Sequence, residues 1–137
     1  MVGNKGKVYG IDISEKMLDS LREKLGQEEK TIDNIELKKS STYSFPLEDK
    51  SVSHVLLSNV LHEVEDKKKL LSEIYRVMKD GGALLIIEWQ KKETEQGPPL
   101  NIRLTKEEVE NYISKAGLKL KKIFSKSDMF NVFRASK

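Results

Sequence analysis

Three short apolar runs in this 137-residue chain each end in side chains that can do chemistry. Val8-Tyr9-Gly10-Ile11 ends at Asp12. Val52 to Ser58 leads into Asn59 and, three residues later, His62. Ala83 to Ile87 ends at Glu88 and Trp89. In an open α/β sheet the carboxyl ends of parallel strands face the ligand crevice, so a carboxylate at such an end can accept hydrogen bonds from ligand hydroxyls. The chain has no cysteine. That excludes a disulfide framework, a thiolate metal site and a cysteine nucleophile. No Ser/His/Asp set and no cluster of metal-ligating residues stands out in the sequence. His54 lies inside an apolar run and reads as structural, and a lone histidine such as His62 is more often a hydrogen-bonded residue than a base.

The elements that must position these residues follow from the apolar spacing. Val8–Ile11 is short, continuous and β-branched, as in a buried strand. Ser14 caps a helix whose Met17, Leu18, Leu21 and Leu25 recur at helical spacing, with Gly26 at its end. Residues 27–33 form a polar connection, and the alternation over Ile35–Lys38 gives a strand near an edge. Residues 40–50 form a loop around Pro46. Val52–Ser58 is a central strand, followed by a turn to Glu65. Asp66 caps a helix bearing Leu70, Leu71, Ile74, Val77 and Met78, which Gly81-Gly82 stops. Ala83–Ile87 is a second central strand. Residues 91–103 form a polar loop with Pro98-Pro99, expected to shape a lid. Thr105 and Glu108 make a capping box for a helix bearing Val109, Tyr112, Ile113 and Ala116, closed by Gly117. Two strands, Leu118–Phe124 and Met129–Ala135, form an antiparallel hairpin whose core includes Met129, Phe130 and Phe133. The order β-α-β-β-α-β-α-β-β predicts an α/β fold with a mostly parallel sheet covered on both faces, in a single domain over residues 1–137.

Apolar residues make up 37% and charged residues 34% of the chain, and no run approaches the ~20 apolar residues of a membrane span. Met1 to Lys7 carries no apolar stretch of a secretory signal, so a cytoplasmic location is expected. The net charge is +3, from 25 basic and 22 acidic residues. Lys67-Lys68-Lys69 and the run from Lys119 to Lys122 read as solvated faces. Only four of the 25 basic residues are arginine, the better fork for phosphates, so nucleic acid is not an expected partner. The Lys- and Glu-rich, cysteine-free composition agrees with a thermophilic source.

Four segments, in order and spacing, resemble the class I methyltransferases that use S-adenosylmethionine, of the type 11 kind. They are Lys7–Leu18 (KVYGIDISEKML), Phe45–Val52 (FPLEDKSV), Leu57–Val64 (LSNVLHEV) and Glu73–Gly82 (EIYRVMKDGG). The resemblance covers nearly the whole chain from Lys7 onward. It implies a Rossmann-like sheet with an antiparallel C-terminal hairpin, and methyl transfer to an acceptor, expected to be a small molecule. It implies S-adenosylmethionine as cofactor, with Asp12 on the ribose hydroxyls and Ile13 and Met17 as an apolar wall for adenine. Ser41 and Thr42 would lie at the adenine edge, with Ser41 where the family often carries an acid. Asn59 would touch the methionine part, and His62, Glu88 and Trp89 would border the substrate. Ser53 also replaces a frequent Asp, and Asp80 falls within the family's usual Lys-Pro-Gly-Gly helix end, where Lys79-Asp80-Gly81-Gly82 stands here.

The family's glycine-rich loop, with the strand before it and the helix after it, has no counterpart, because Val2 to Gly6 reads as the connection preceding the second strand. The chain is therefore expected to begin part-way through the fold, with cofactor binding weak or lost. The strands at Val8–Ile11 and Val52–Ser58 are expected to close the gap by direct pairing into a six-stranded sheet, with a homodimer, or a chain that is a fragment of a longer product, as further outcomes. Two other functions fit less of the sequence. One is a non-catalytic relative acting through dimerisation or a partner. The other is a nicotinamide-dinucleotide binder, disfavoured by the terminal hairpin and by Leu61-His62-Glu63.

Overall fold

Val8, Tyr9 and Ile11 favour extended backbone, and they form β1 (Val8–Asp12) in the computed structural model, which describes residues 2–3, 5–27 and 34–137. Of the expected connections, residues 28–33 and residue 4 lie outside the described residues. β1 runs parallel to β2 (Ile35–Lys39), from Val8 opposite Ile35 to Asp12 opposite Lys39. Gly10 leaves room for the Leu37 side chain of the partner strand, since a Cβ there would lie 2.6 Å from Leu37 Cδ2 and turn that side chain aside.

Between them, α1 (Glu15–Gly26) starts at the Ser14 cap, whose Oγ accepts from Met17 N at 3.4 Å. Its apolar stripe corrects the sequence reading. Leu18 is buried, but Met17 is 59% exposed and Leu21 37% exposed. The stripe is wider than the contact α1 makes with β1 and β2, so the outer members stay uncovered.

In the second half, β3 (Val52–Ser58) lies parallel to β4 (Met78–Trp89), and β6 (Phe130–Ser136) inserts antiparallel between β4 and β5 (Lys119–Lys126). Only β6 is reversed within this sheet, as the hairpin predicts. Alternate residues of β4, Leu84, Ile86 and Glu88, are fully buried, while Leu85, Ile87 and Trp89 are half-buried. The core adds the buried stripes of α2 (Lys67–Val77) and α3 (Lys106–Lys115): Leu70, Leu71, Ile74 and Val77 from one, Val109 and Ile113 from the other. Asp66 caps α2 through Lys69 N, and Thr105 with Glu108 forms the expected capping box.

Two expectations change. Gly81-Gly82 does not stop α2; the helix ends at Val77, and β4 begins at Met78, opposite Val52. The helix's last carbonyls, Arg76 O and Val77 O, accept from Lys50 N and Ser51 N, so the chain passes straight into the sheet. The glycines instead serve an irregular stretch of strand, where Gly81 has φ +77° and a Cβ on Gly82 would meet Lys79 O at 2.8 Å.

The six-stranded sheet also does not form. Hydrogen bonding gives a two-stranded sheet, β1-β2, and a four-stranded one, β3-β4-β6-β5. The expectation assumed buried edges, but Ser53, His54, Leu56 and Ser58 of β3 are exposed, so outward backbone groups can be hydrated and no pairing is forced. Two compact units result, Met1–Pro46 and Leu47–Lys137.

Candidate functional site

In the first unit, β1 delivers Asp12 to its C-terminal end, where Oδ1 accepts from Ser14 N at 2.7 Å. The other carboxylate oxygen has no hydrogen bond among the described residues. The Asp12 carbonyl accepts from Ser40 N at 3.0 Å, which ties the start of the 40–44 turn to the strand end. Ser41 lies in that turn, its N–H bonded to Ser44 O at 3.3 Å, with Thr42 following. Asp12 and Met17 share an open hollow of about 290 Å³ with Gly10, Leu18, Leu21 and Lys24. Ile13 is 60% exposed and outside that hollow. Neither Ile13 nor Met17 packs in a core.

In the second unit, Asn59 follows β3 directly. Its N–H extends the parallel ladder to Ile87 O at 2.8 Å, and its φ of 55° is a left-handed conformation that Asn tolerates better than most residues. Its side-chain Oδ1 is buried and has no partner among the described residues. Asn59 lines a hollow of about 340 Å³ with Ser58, Ile87, Ser127 and Phe130.

His62 and Glu88 are paired inside the unit, with only 3% and 2% of their side chains exposed. His62 Nδ1 lies 2.6 Å from Glu88 Oε2, while Glu88 Oε1 accepts from Leu61 N at 2.8 Å and from His62 N at 3.4 Å. Glu88 therefore spends both oxygens on the turn after β3 and lines neither hollow. Trp89 stacks on Phe130 (centroids 4.5 Å apart, planes at 52°), with the Arg103 guanidinium 5.2 Å from its ring.

The loop after Trp89 is built around Arg103. Arg103 is buried and donates to the carbonyls of Pro98, Gln90, Lys92 and Gln96 and to Thr94 Oγ1. The segment read as a lid is thus tied at five points. His54 is exposed, with Nδ1 3.0 Å from Ser53 Oγ.

Sequence reasoning missed Arg103, Ser127 and the His62–Glu88 pair. The last had a signal. Glu88 falls two and four residues after Ile86 and Leu84, on the strand face that alternation sends inward. A carboxylate there needs donors, and the nearest imidazole in sequence past β3 is His62.

With this geometry in hand, comparison with known proteins gives the lineage. Residues 1–86 match a family described as a methyltransferase domain. A SAM-dependent methyltransferase from Aquifex aeolicus superposes with a TM-score of 0.92 at 32% identity, over 98% of this chain and 71% of that one. The chain belongs to the class I S-adenosylmethionine-dependent methyltransferase family, type 11-like, with a Rossmann-like fold. Among sequences, the ubiquinone/menaquinone biosynthesis C-methyltransferase UbiE of Escherichia fergusonii is 40% identical over 91 residues, 66% of this chain. The chain spans 36% of the length of that relative. The [4+2]-cyclase SpnF shares the fold, with a TM-score of 0.80 at 17% identity. Among the described residues, no helix is long and apolar enough to cross a membrane.

Proposed function

We propose that this chain takes part in methyl transfer from S-adenosylmethionine to a small-molecule acceptor. Both units are then parts of one methyltransferase-like domain. The observation that carries the reading is Asp12: a carboxylate at the C-terminal end of a parallel strand, held by Ser14 N through one oxygen and bare on the other among the described residues. A bare acceptor of that kind suits a ribose hydroxyl. Ile13 and Met17 support it, because both are apolar and exposed beside the acid, as a wall for an adenine ring would be. The Ser41–Thr42 turn, tied to the strand end through Ser40, would serve the adenine edge. Asn59 Oδ1, buried without a donor, suits the cationic end of an amino acid moiety.

The cofactor, when bound, supplies an electrophilic methyl group that the acceptor takes with its own electron pair, leaving a neutral thioether. The protein's part is positioning and exclusion of water, which supply much of the rate in such displacements. His62 and Trp89 remain the candidates for bordering the acceptor. UbiE is named for methylating carbon in quinone biosynthesis. An acceptor of that kind, a small aromatic ring, belongs to this reading. So do a cytoplasmic setting, a thermophilic source and a homodimer.

Calorimetric titration with S-adenosylhomocysteine, the product of the transfer, tests the reading. Binding by the native chain that weakens at least about tenfold in Asp12→Ala, the loss of about 1.4 kcal/mol, is expected. No heat at millimolar ligand from the native chain would favour the non-catalytic alternative.

A further inference from the structure

Glu88 stands where the resemblance implies a substrate contact, yet its carboxylate never reaches either hollow. Three donors converge on it from one short stretch: Leu61 N at 2.8 Å, His62 N at 3.4 Å and the His62 ring at 2.6 Å. That stretch begins at Asn59, which holds a left-handed backbone and a buried oxygen without a partner among the described residues. A turn with such a residue persists only when its surroundings over-determine it. Two bonds to successive backbone amides do that here, because they fix the peptide planes on either side of Leu61.

The same carboxylate orients the imidazole. Oε1 is committed to two backbone donors, and Oε2 faces Nδ1. A carboxylate ringed by donors is the acceptor of the pair, so Nδ1 carries the proton. Nε2 points toward Glu63, whose carboxylate is 3.9 Å away and 70% exposed, too far for a hydrogen bond. We propose that Glu88 is a positioning residue: one buried carboxylate that sets both the path of the turn carrying Asn59 and the protonation pattern of the His62 ring. Its contribution to methyl transfer rests on the reading above, whereas its grip on the ring does not. A carboxylate that fixes the tautomer of a neighbouring imidazole is a known device for holding a ring ready.

The test is nitrogen-15 correlation spectroscopy of the His62 ring, recorded at about pH 8 where a free imidazole is neutral. The native chain is expected to show a proton on Nδ1. In Glu88→Gln, Oε1 can still accept from Leu61 N and His62 N, but the amide NH₂ now donates to Nδ1. The ring proton is then expected to move to Nε2, with the nitrogen shifts exchanging, while the backbone amide resonances of residues 59–62 stay close to native. A bare Nδ1 in the native chain overturns the proposal. So does a Glu88→Gln ring that keeps its native pattern. A bare Nδ1 in the native spectrum overturns the proposal even if the variant fails to fold. S-adenosylhomocysteine titrated into the same samples separates the two ideas: a native chain that does not bind it sinks the methyltransferase reading and leaves the ring assignment untouched.

Discussion

Asp12 and Glu88 are both acids at or near the C-terminal ends of parallel strands, yet one keeps a free oxygen and the other has none. Position in sequence alone made Asp12 legible. Glu88 required its partner, 26 positions away, before its burial made sense. A third acid, Glu36, shows what a surface pair can do. Lys38 first, and Lys7 with it, holds its carboxyl down from the ordinary 4.5 to about 2. Because the folded-state value is depressed, the stabilisation is complete above about pH 4.5 and is lost as pH falls toward about 2. Unfolding of the native chain and of Glu36→Gln should therefore differ above about pH 4.5 and converge near pH 2, with the difference shrinking in salt. A gap between the two that is constant across that range would refute the assignment.

The helices and the hairpin were legible because their signals are local: a Ser14, Asp66 or Thr105 cap, an apolar stripe, a short turn between alternating runs. The loop from Gln90 to Ile102 was not, since its order comes from Arg103, a residue that lies past it in sequence and that composition treats as surface charge. Replacing Arg103 by Met removes five hydrogen bonds and takes the Arg103 donor from the carbonyls of Pro98 and Lys92, while Gln96 O still accepts from Thr94 Oγ1. A loss of about 1–3 kcal/mol is expected in chemical denaturation, since hydrogen bonds from a charged donor are each worth about 1.5–3 kcal/mol and the half-exposed carbonyls regain water in part. New cleavage between residues 92 and 99 by a protease should accompany it. An unchanged midpoint and cleavage pattern would show that the loop holds itself. The start of β4 was misread for a related reason: a double glycine is a stop signal by type, but here the amides of Lys50 and Ser51, distant in sequence, take the helix's last carbonyls.

For the molecule as a whole, the order of elements was readable and the division of its strands was not. A sheet's extent depends on which edges are hydrated, and β3 has exposed residues where a buried strand was expected. β1 and β3 each pair on one side only among the described residues. If a second copy covers such an edge, sedimentation at micromolar concentration will report twice the 15.7 kDa chain mass. A species of 15.7 kDa would rule that association out. A sheet of this kind hosts many unrelated chemistries. The acceptor and the reaction must be argued from side chains such as Asp12, Asn59 and His62, and not from the sheet.

Trp89 is the sole indole in the chain, and it is wedged between the Phe130 ring, the Arg103 guanidinium and the backbone of Gly97, where a Cβ would come within 2.8 Å of it. The molecule thus carries one built-in fluorophore, seated at the seam where strap meets hairpin. Its emission samples that seam and nowhere else, so any event that parts the cation from the ring becomes visible in native protein without a dye.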